Sequence, residues 1–278
     1  MDRTLEYFQD KAVLITGASS GIGEDLAWQL ARAGAKLTLV ARRREQLEAL
    51  ARKIAETGNA RPLVAEGDVT RDGDVERAVA ETVRERGKLN AVFANAGFGV
   101  TGALKQLTVE DYRRQFETNV FGVLRTVYAA LPEIEKTQGN VVLISSVSGW
   151  VASPAASAYC MSKFAVRALA NAITPELQRA GVKVTLISPG FVASNIRRVD
   201  NQGEFHAGAP DSVPAWLQMS TQQAVRKILR AAARGKRERI ITLHGKLFVA
   251  LERFVPWVNR AVSKRIPRGY RGPRETKS

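Results

Sequence analysis

Thr16-Gly17-Ala18-Ser19-Ser20-Gly21-Ile22-Gly23 follows the apolar run Ala12-Val13-Leu14-Ile15 and opens a helix-period stretch over 22–33. Glycines at such a junction let the backbone turn tightly and approach a phosphate, which the free N–H groups of a helix amino terminus then hold. The spacing is Gly-x-x-x-Gly-x-Gly rather than the commoner Gly-x-Gly-x-x-Gly. Alone, the loop reads equally as a tight strand-to-helix turn; its strand–turn–helix setting favours a nucleotide.

Outward from that loop, short apolar runs alternate with longer amphipathic ones. Strands are expected at 12–16, 36–41, 62–66, 91–94, 140–145, 183–188 and 239–243, with helices at 22–33, 44–56, 74–85, 110–135 and 158–179. Gly34, Gly58, Gly87 and Gly181 stand where helices should stop. This alternation predicts an α/β fold: one Rossmann-type, doubly wound parallel sheet of about seven strands with helices on both faces. The stretch 190–220 breaks the rhythm with Pro210 and Pro214 and is long for a connection, so it is expected to be a substrate lid. The expected division is a dinucleotide-binding catalytic domain over 1–244 and a basic amphipathic extension over 245–278.

The chain has 278 residues, 45% of them hydrophobic and 25% charged, with 22 Gly and 10 Pro. That composition excludes disulfide-stapled, collagen-like and disordered classes. The single Cys160 cannot form an internal bridge and fits a reducing cytoplasm. Residues 1–11 carry charges among their apolar positions, unlike a secretory signal, and no run approaches the roughly 20 apolar residues of a spanning helix. The net charge of +15 is unevenly placed: residues 225–278 hold 16 of the 42 Lys+Arg and only 3 of the 27 Asp+Glu. An anionic partner, if there is one, is met by that end.

Two further places carry chemistry. After the second strand come Ala41-Arg42-Arg43-Arg44; an NAD site usually places an acid there for the ribose hydroxyls, whereas Arg42 and Arg43 suit a 2′-phosphate. The reading is NADP(H) preferred, with NAD(H) as the other candidate. Tyr159 and Lys163 stand i,i+4 on one helix face, which lets an ammonium lower a phenol pKa from about 10 towards neutrality. By spacing alone, such a pair is more often a surface coincidence.

Taken together, the sequence resembles the short-chain dehydrogenase/reductase family from about residue 10 to about residue 243. The shared motifs are Thr-Gly-x-x-x-Gly-x-Gly at 16–23, Asn95-Ala96-Gly97, Asn119, Ser146 with Tyr159-x-x-x-Lys163, and Pro189-Gly190. The resemblance implies four catalytic residues. Tyr159 exchanges the proton with the substrate oxygen, Ser146 hydrogen-bonds that oxygen, Lys163 lowers the tyrosine pKa and holds the nicotinamide ribose, and Asn119 extends the proton relay. For the cofactor it implies Gly17, Ser19, Ser20, Gly21, Ile22 and Gly23 at the pyrophosphate, and Arg42 and Arg43 at the 2′-phosphate. Asp68 and Val69 fall to the adenine, Asn95, Ala96 and Gly97 to the adenosine ribose, and Pro189, Gly190, Val192 and Ser194 to the carboxamide. Ser194 stands where Thr is commoner, and Ala94 where many members have a first Asn.

Other residues attract weaker readings. Cys160 turns about 100° from the Tyr159–Lys163 face and is assigned to packing. His206 and His244 are thirty-eight residues apart with no metal-ligand companion at zinc-site spacing, so no metal is expected. Ser145 and Ser148 flank Ser146, which the resemblance selects. Phe98, Val151, Phe191, Ile196, Phe205, Val213, Trp216, Leu217 and Met219 suggest a hydrophobic carbonyl or alcohol substrate, and Arg197 and Arg198 would suit an acidic one. From Lys246 to Ile266, apolar and basic residues alternate as in a basic amphipathic helix with a break at Pro256. Peripheral contact with an anionic membrane and packing on a partner subunit of a homodimer or homotetramer are both open; no motif reads nucleic acid. The expected function is an NADP(H)-dependent oxidoreductase acting on a small hydrophobic carbonyl/alcohol pair. The alternatives are a dinucleotide-sensing scaffold and a membrane-recruited lipid or steroid reductase.

Overall fold

The computed structural model describes residues 3–206, 208–209, 211 and 213–259. Seven parallel strands, β1 (Ala12–Thr16), β2 (Lys36–Ala41), β3 (Leu63–Glu66), β4 (Ala91–Ala94), β5 (Asn140–Ile144), β6 (Lys183–Ser188) and β7 (Glu238–Ile240), form one sheet in the order β3-β2-β1-β4-β5-β6-β7. Strands β1, β4 and β5 are buried along their whole length, as expected of a sheet covered on both faces. Helices α1 (Arg3–Phe8), α2 (Gly21–Arg32), α3 (Arg44–Glu56) and α8 (Thr221–Ala233) cover one face through a core including Phe8, Leu26, Leu47, Phe93 and Ile228. The other face packs α4 (Asp74–Arg86), α6 (Gly122–Lys136) and α7 (Ser157–Gln178) around Leu14, Val92, Ile134 and Val166. The winding reverses between β1 and β4, and in such sheets a ligand crevice opens at the carboxyl ends of those strands.

The fold class, a doubly wound parallel sheet of seven strands, is as the sequence predicts, and Gly34, Gly58, Gly87 and Gly181 all adopt left-handed φ between 74° and 80°. The differences are local. The single helix expected over 110–135 is α5 (Val109–Phe116), a π-helical turn over Glu117–Phe121, and α6. A π turn shifts the hydrogen-bond register by one residue without breaking the apolar periodicity, so it leaves no mark in composition. Strand β7 ends at Ile240 instead of 243, because Thr242 accepts from the Gly245 amide at 3.3 Å and caps α9 (Leu243–Phe254). Helix α1 has six residues, too few for a period; Phe8 is fully buried against Phe93, with ring centroids 6.4 Å apart. The part of the predicted basic helix beyond 259 lies outside the described residues. Among the described residues no helix is long and apolar enough to cross a membrane.

Candidate active site

Thr16 and Asn95 fasten the ends of the two central strands together. The Thr16 hydroxyl donates to Phe93 O at 3.3 Å and accepts from the Asn95 and Ala96 amides at 3.1 and 3.2 Å. The Asn95 carboxamide donates to Thr16 O and Gly17 O at 2.9 and 3.2 Å. Within this brace the glycine loop is geometrically obligatory. Gly17 has φ +67°, and a Cβ there would lie 2.7 Å from Ala96 Cα; one on Gly23 would lie 2.2 Å from Gly17 O. No side chain caps the start of α2, so its first amides are left for the crevice. Arg43, at the end of β2, donates to the Ser19 hydroxyl at 2.9 Å and the Ser20 hydroxyl at 3.3 Å. Burial and the neighbouring Arg42 cation lower the Arg43 pKa. Arg42 reaches across to Gly203 O at 3.3 Å.

The loop opens on a cleft of about 800 Å³. Every residue expected at the site lines it except Gly23, packed beneath the loop, and Asn119. Asn119 is fully buried in the π turn, where it exchanges two hydrogen bonds with the Phe98 backbone and donates to the Ser162 hydroxyl at 3.2 Å. Gln115 grips the same segment, donating to Phe98 O at 2.9 Å and accepting from the Val100 amide at 2.6 Å. Asp68 is held by the Asp74 carboxylate, which accepts from its amide at 2.9 Å. Its own Oδ1 accepts from the Thr70 amide and hydroxyl.

At the deep end of the cleft three serines separate by their partners. Ser145 is buried and donates to Lys163 O at 3.1 Å, while Ser148 hydrogen-bonds the buried Cys160 thiol. Ser146 lies beside the Tyr159 hydroxyl and lines the cleft with it. Lys163, one helical turn further along α7, is 5% exposed; its Nζ donates to Ile144 O at 3.0 Å and lies 5.7 Å from the Tyr159 ring centroid. Burial brings the Lys163 pKa down from 10.5 to about 8. The expected lowering of the Tyr159 pKa is not what dominates: burial raises the phenol, against a smaller opposing contribution from the Ser146 hydrogen bond. In the protein alone, the phenol is therefore protonated at neutral pH.

The loop after β6 shows what the spacing of motifs missed. A Cβ on Gly190 would lie 2.3 Å from both His244 Nε2 and Thr242 Oγ1. That contact exists because His244 Nε2 accepts from the Phe191 amide at 2.9 Å, with the two rings stacked 5.2 Å apart. The acceptor role fixes the neutral Nδ1–H tautomer, and burial lowers the His244 pKa. Spacing could not reveal this contact, since 53 residues separate the partners.

In the segment after β6, Arg197 is not a free clamp for an acidic substrate. It forms a bidentate pair with Asp211 at 2.6 and 2.7 Å and donates to Val192 O and Gln218, holding the Asp211 carboxyl down at about 2. Phe98, Ile196 and Phe205 line the cleft, while Phe191 turns to His244, Met219 packs on the core and Trp216 is 84% exposed. Asp200, Glu204 and His206 converge with potential ligand atoms within 4.8 Å of one another, but the Asp200 carboxylate already accepts from the Gln202 and Glu204 amides and meets the His206 ring at 2.7 Å. That accounts for the cluster as a turn.

Comparisons with known proteins agree with this fold. The family profile described as short chain dehydrogenase matches residues 11–204. Human dehydrogenase/reductase SDR family member 7 is 33% identical over 92% of this chain and 78% of its own length. Mouse dehydrogenase/reductase SDR family member 7B is 35% identical over 70% of this chain and 61% of its own length, so the chain spans less than two thirds of that relative. An alcohol dehydrogenase from the archaeon Thermococcus sibiricus, solved with 5-hydroxy-NADP, superposes with a TM-score of 0.72 at 26% identity, covering 83% of this chain and 95% of its own. A short-chain dehydrogenase/reductase from Burkholderia phymatum, solved with NAD, shares the fold at TM-score 0.80 and 23% identity, over 91% and 96% of the two chains. A seven-stranded parallel sheet, a glycine loop at its switch point and these relatives together place the chain in the short-chain dehydrogenase/reductase family.

Proposed function

We propose that this protein is an NADP(H)-dependent oxidoreductase that interconverts the carbonyl and alcohol forms of a mainly apolar small molecule. The observation that carries the reading is the deep end of the cleft: Tyr159 beside Ser146, with the Lys163 ammonium one helical turn away, all facing the space that the glycine loop opens. The residues fit a dinucleotide, because the positive φ of Gly17 and Gly21 and the uncapped start of α2 form a cradle whose backbone packs on Ala96 so closely that a Cβ at Gly17, 2.7 Å from Ala96 Cα, would displace it. The bound cofactor supplies or accepts the hydride at its nicotinamide.

The chain's own residues manage the proton and the placement. The Tyr159 phenol, kept protonated by burial, donates to a substrate oxygen as it gains electrons, and Ser146 donates a hydrogen bond to that oxygen. Lys163 has one N–H on Ile144 O and the others for the nicotinamide ribose, and its charge favours the phenolate left behind. Asn119 holds the Phe98 backbone at the cleft wall instead of meeting substrate directly. Asp68 Oδ2 and Val69 serve the adenine, Ala96 and Gly97 the adenosine ribose, and Val192 and Ser194 the carboxamide. NADP is favoured over NAD because β2 ends in Ala41 with no carboxylate, while Arg42 and Arg43 both line the cleft and Arg43 donates to the Ser19 and Ser20 hydroxyls. Two adjacent guanidinium groups are stabilised by a dianionic phosphate. Phe98, Ile196 and Phe205 give the substrate region its apolar character. A homodimer or homotetramer is proposed through α6 and α7, where Tyr128, Met161 and Phe164 are exposed, and the single Cys160 suits a reducing compartment.

The test is oxidation of NADPH and of NADH across hydrophobic ketones, aldehydes and quinones, with Tyr159→Phe as control. The expected result is turnover with NADPH that falls by about 10²–10⁴-fold in the variant while NADPH still binds. Undiminished turnover in Tyr159→Phe overturns the assignment.

A further inference from the structure

Helix α9 turns its apolar side outward. Leu243, Leu247 and Phe254, at spacings of four and seven, share one face and are 80%, 57% and 74% exposed. Gly245 and Val249, on the opposite face, are its buried positions. A surface helix normally does the reverse, so the exposed face is made for contact. Trp257, in the turn that follows, is 68% exposed. That turn is tied back to α9 by Asn259, which donates to Phe248 O at 3.2 Å and to the Glu252 carboxylate at 2.9 Å. The one acid of α9 is thus engaged away from the apolar face, while Lys246 and Arg253 lie exposed along that face's edge.

We propose that this face docks on the surface of an anionic lipid bilayer. Charge selects the occupant. Beyond residue 259 the sequence carries seven more cations, Arg260, Lys264, Arg265, Arg268, Arg271, Arg274 and Lys277, against the single acid Glu275. A second copy of the chain on this face would bring two such cationic ends together, and their repulsion opposes the contact. An anionic bilayer attracts them and accepts Leu247 and Phe254 below the headgroups with Trp257 at the boundary, where aromatic rings settle. This proposal needs no cofactor and stands apart from the oxidoreductase reading.

The test is co-sedimentation of the full chain with vesicles of phosphatidylcholine alone and of equal parts phosphatidylcholine and phosphatidylglycerol, at low and physiological salt. The comparison variant is Leu247→Glu/Phe254→Glu, whose exposed side chains leave the core untouched; an unchanged thermal unfolding midpoint checks that it folds. The expected result is pelleting with the anionic vesicles alone, weakened by salt, and a loss of roughly tenfold or more in partitioning for the variant. Three outcomes overturn it. The full chain stays in the supernatant with anionic vesicles; the variant pellets equally, showing that charge alone binds; or the variant loses a self-associated state that the full chain forms without lipid.

Discussion

Replacing Lys163 by Met should make the protein more stable at neutral pH while abolishing turnover. The ammonium is 5% exposed, and burial holds its pKa at about 8, against 10.5 ordinarily. At about 1.4 kcal/mol per pH unit, that fall represents ~3 kcal/mol against the folded state at pH 7. The sign follows from proton binding: between pH 8 and 10.5 the unfolded chain keeps this proton and the folded chain sheds it. Stability from this group therefore rises with pH across that window and is lost as pH falls through 8. Met fills a similar volume but leaves Ile144 O without its donor at 3.0 Å, a loss of ~1 kcal/mol. The net gain at pH 7 is about 2 kcal/mol, and near pH 10.5 the variant should be the less stable by about 1 kcal/mol. Urea unfolding of both proteins at pH 7, 8.5 and 10 measures the difference. A difference that does not change with pH, or a variant already weaker at pH 7, refutes the claim that the lysine is held charged against its burial.

Other outcomes follow from the same contacts. Arg43→Ala removes the guanidinium on Ser19 and Ser20 and should weaken NADPH by roughly 10–100-fold with little effect on NADH, measured by fluorescence titration; equal weakening of both would place the 2′-phosphate elsewhere. His244→Phe keeps a ring against Phe191 but leaves that amide without its acceptor, at a cost of ~1–3 kcal/mol, and should raise the cofactor KM. Because burial depresses the His244 pKa, its contribution is present above the ordinary 6.5 and lost as pH falls through the lower folded value. The variant should lack that acid-side decline in its melting temperature, and an identical decline would remove His244 as its source.

Much of the site was legible because its residues sit at fixed offsets from single elements. The glycine loop follows β1 directly, and Tyr159 and Lys163 are one turn apart on α7, offsets ambiguous when taken singly and grouped by the family resemblance. The resemblance selects Ser146 among the three serines, and the structure adds what occupies the other two: Ser145 donates to Lys163 O and Ser148 hydrogen-bonds Cys160. Arg197 looked available for substrate because nothing near it in sequence announces Asp211, fourteen residues on, as its partner.

The sequence by itself determined the alternation of strands and helices, the glycine loop after β1 and the cationic carboxyl-terminal end, since periodicity, glycine placement and charge are local properties of the chain. Only the tertiary structure decided that burial raises the Tyr159 phenol against its hydrogen bond with Ser146, that His244 holds the loop after β6, and that α9 faces outward with its apolar side. Each depends on which distant surfaces exclude water from a group or leave it exposed, and no spacing along a chain records that.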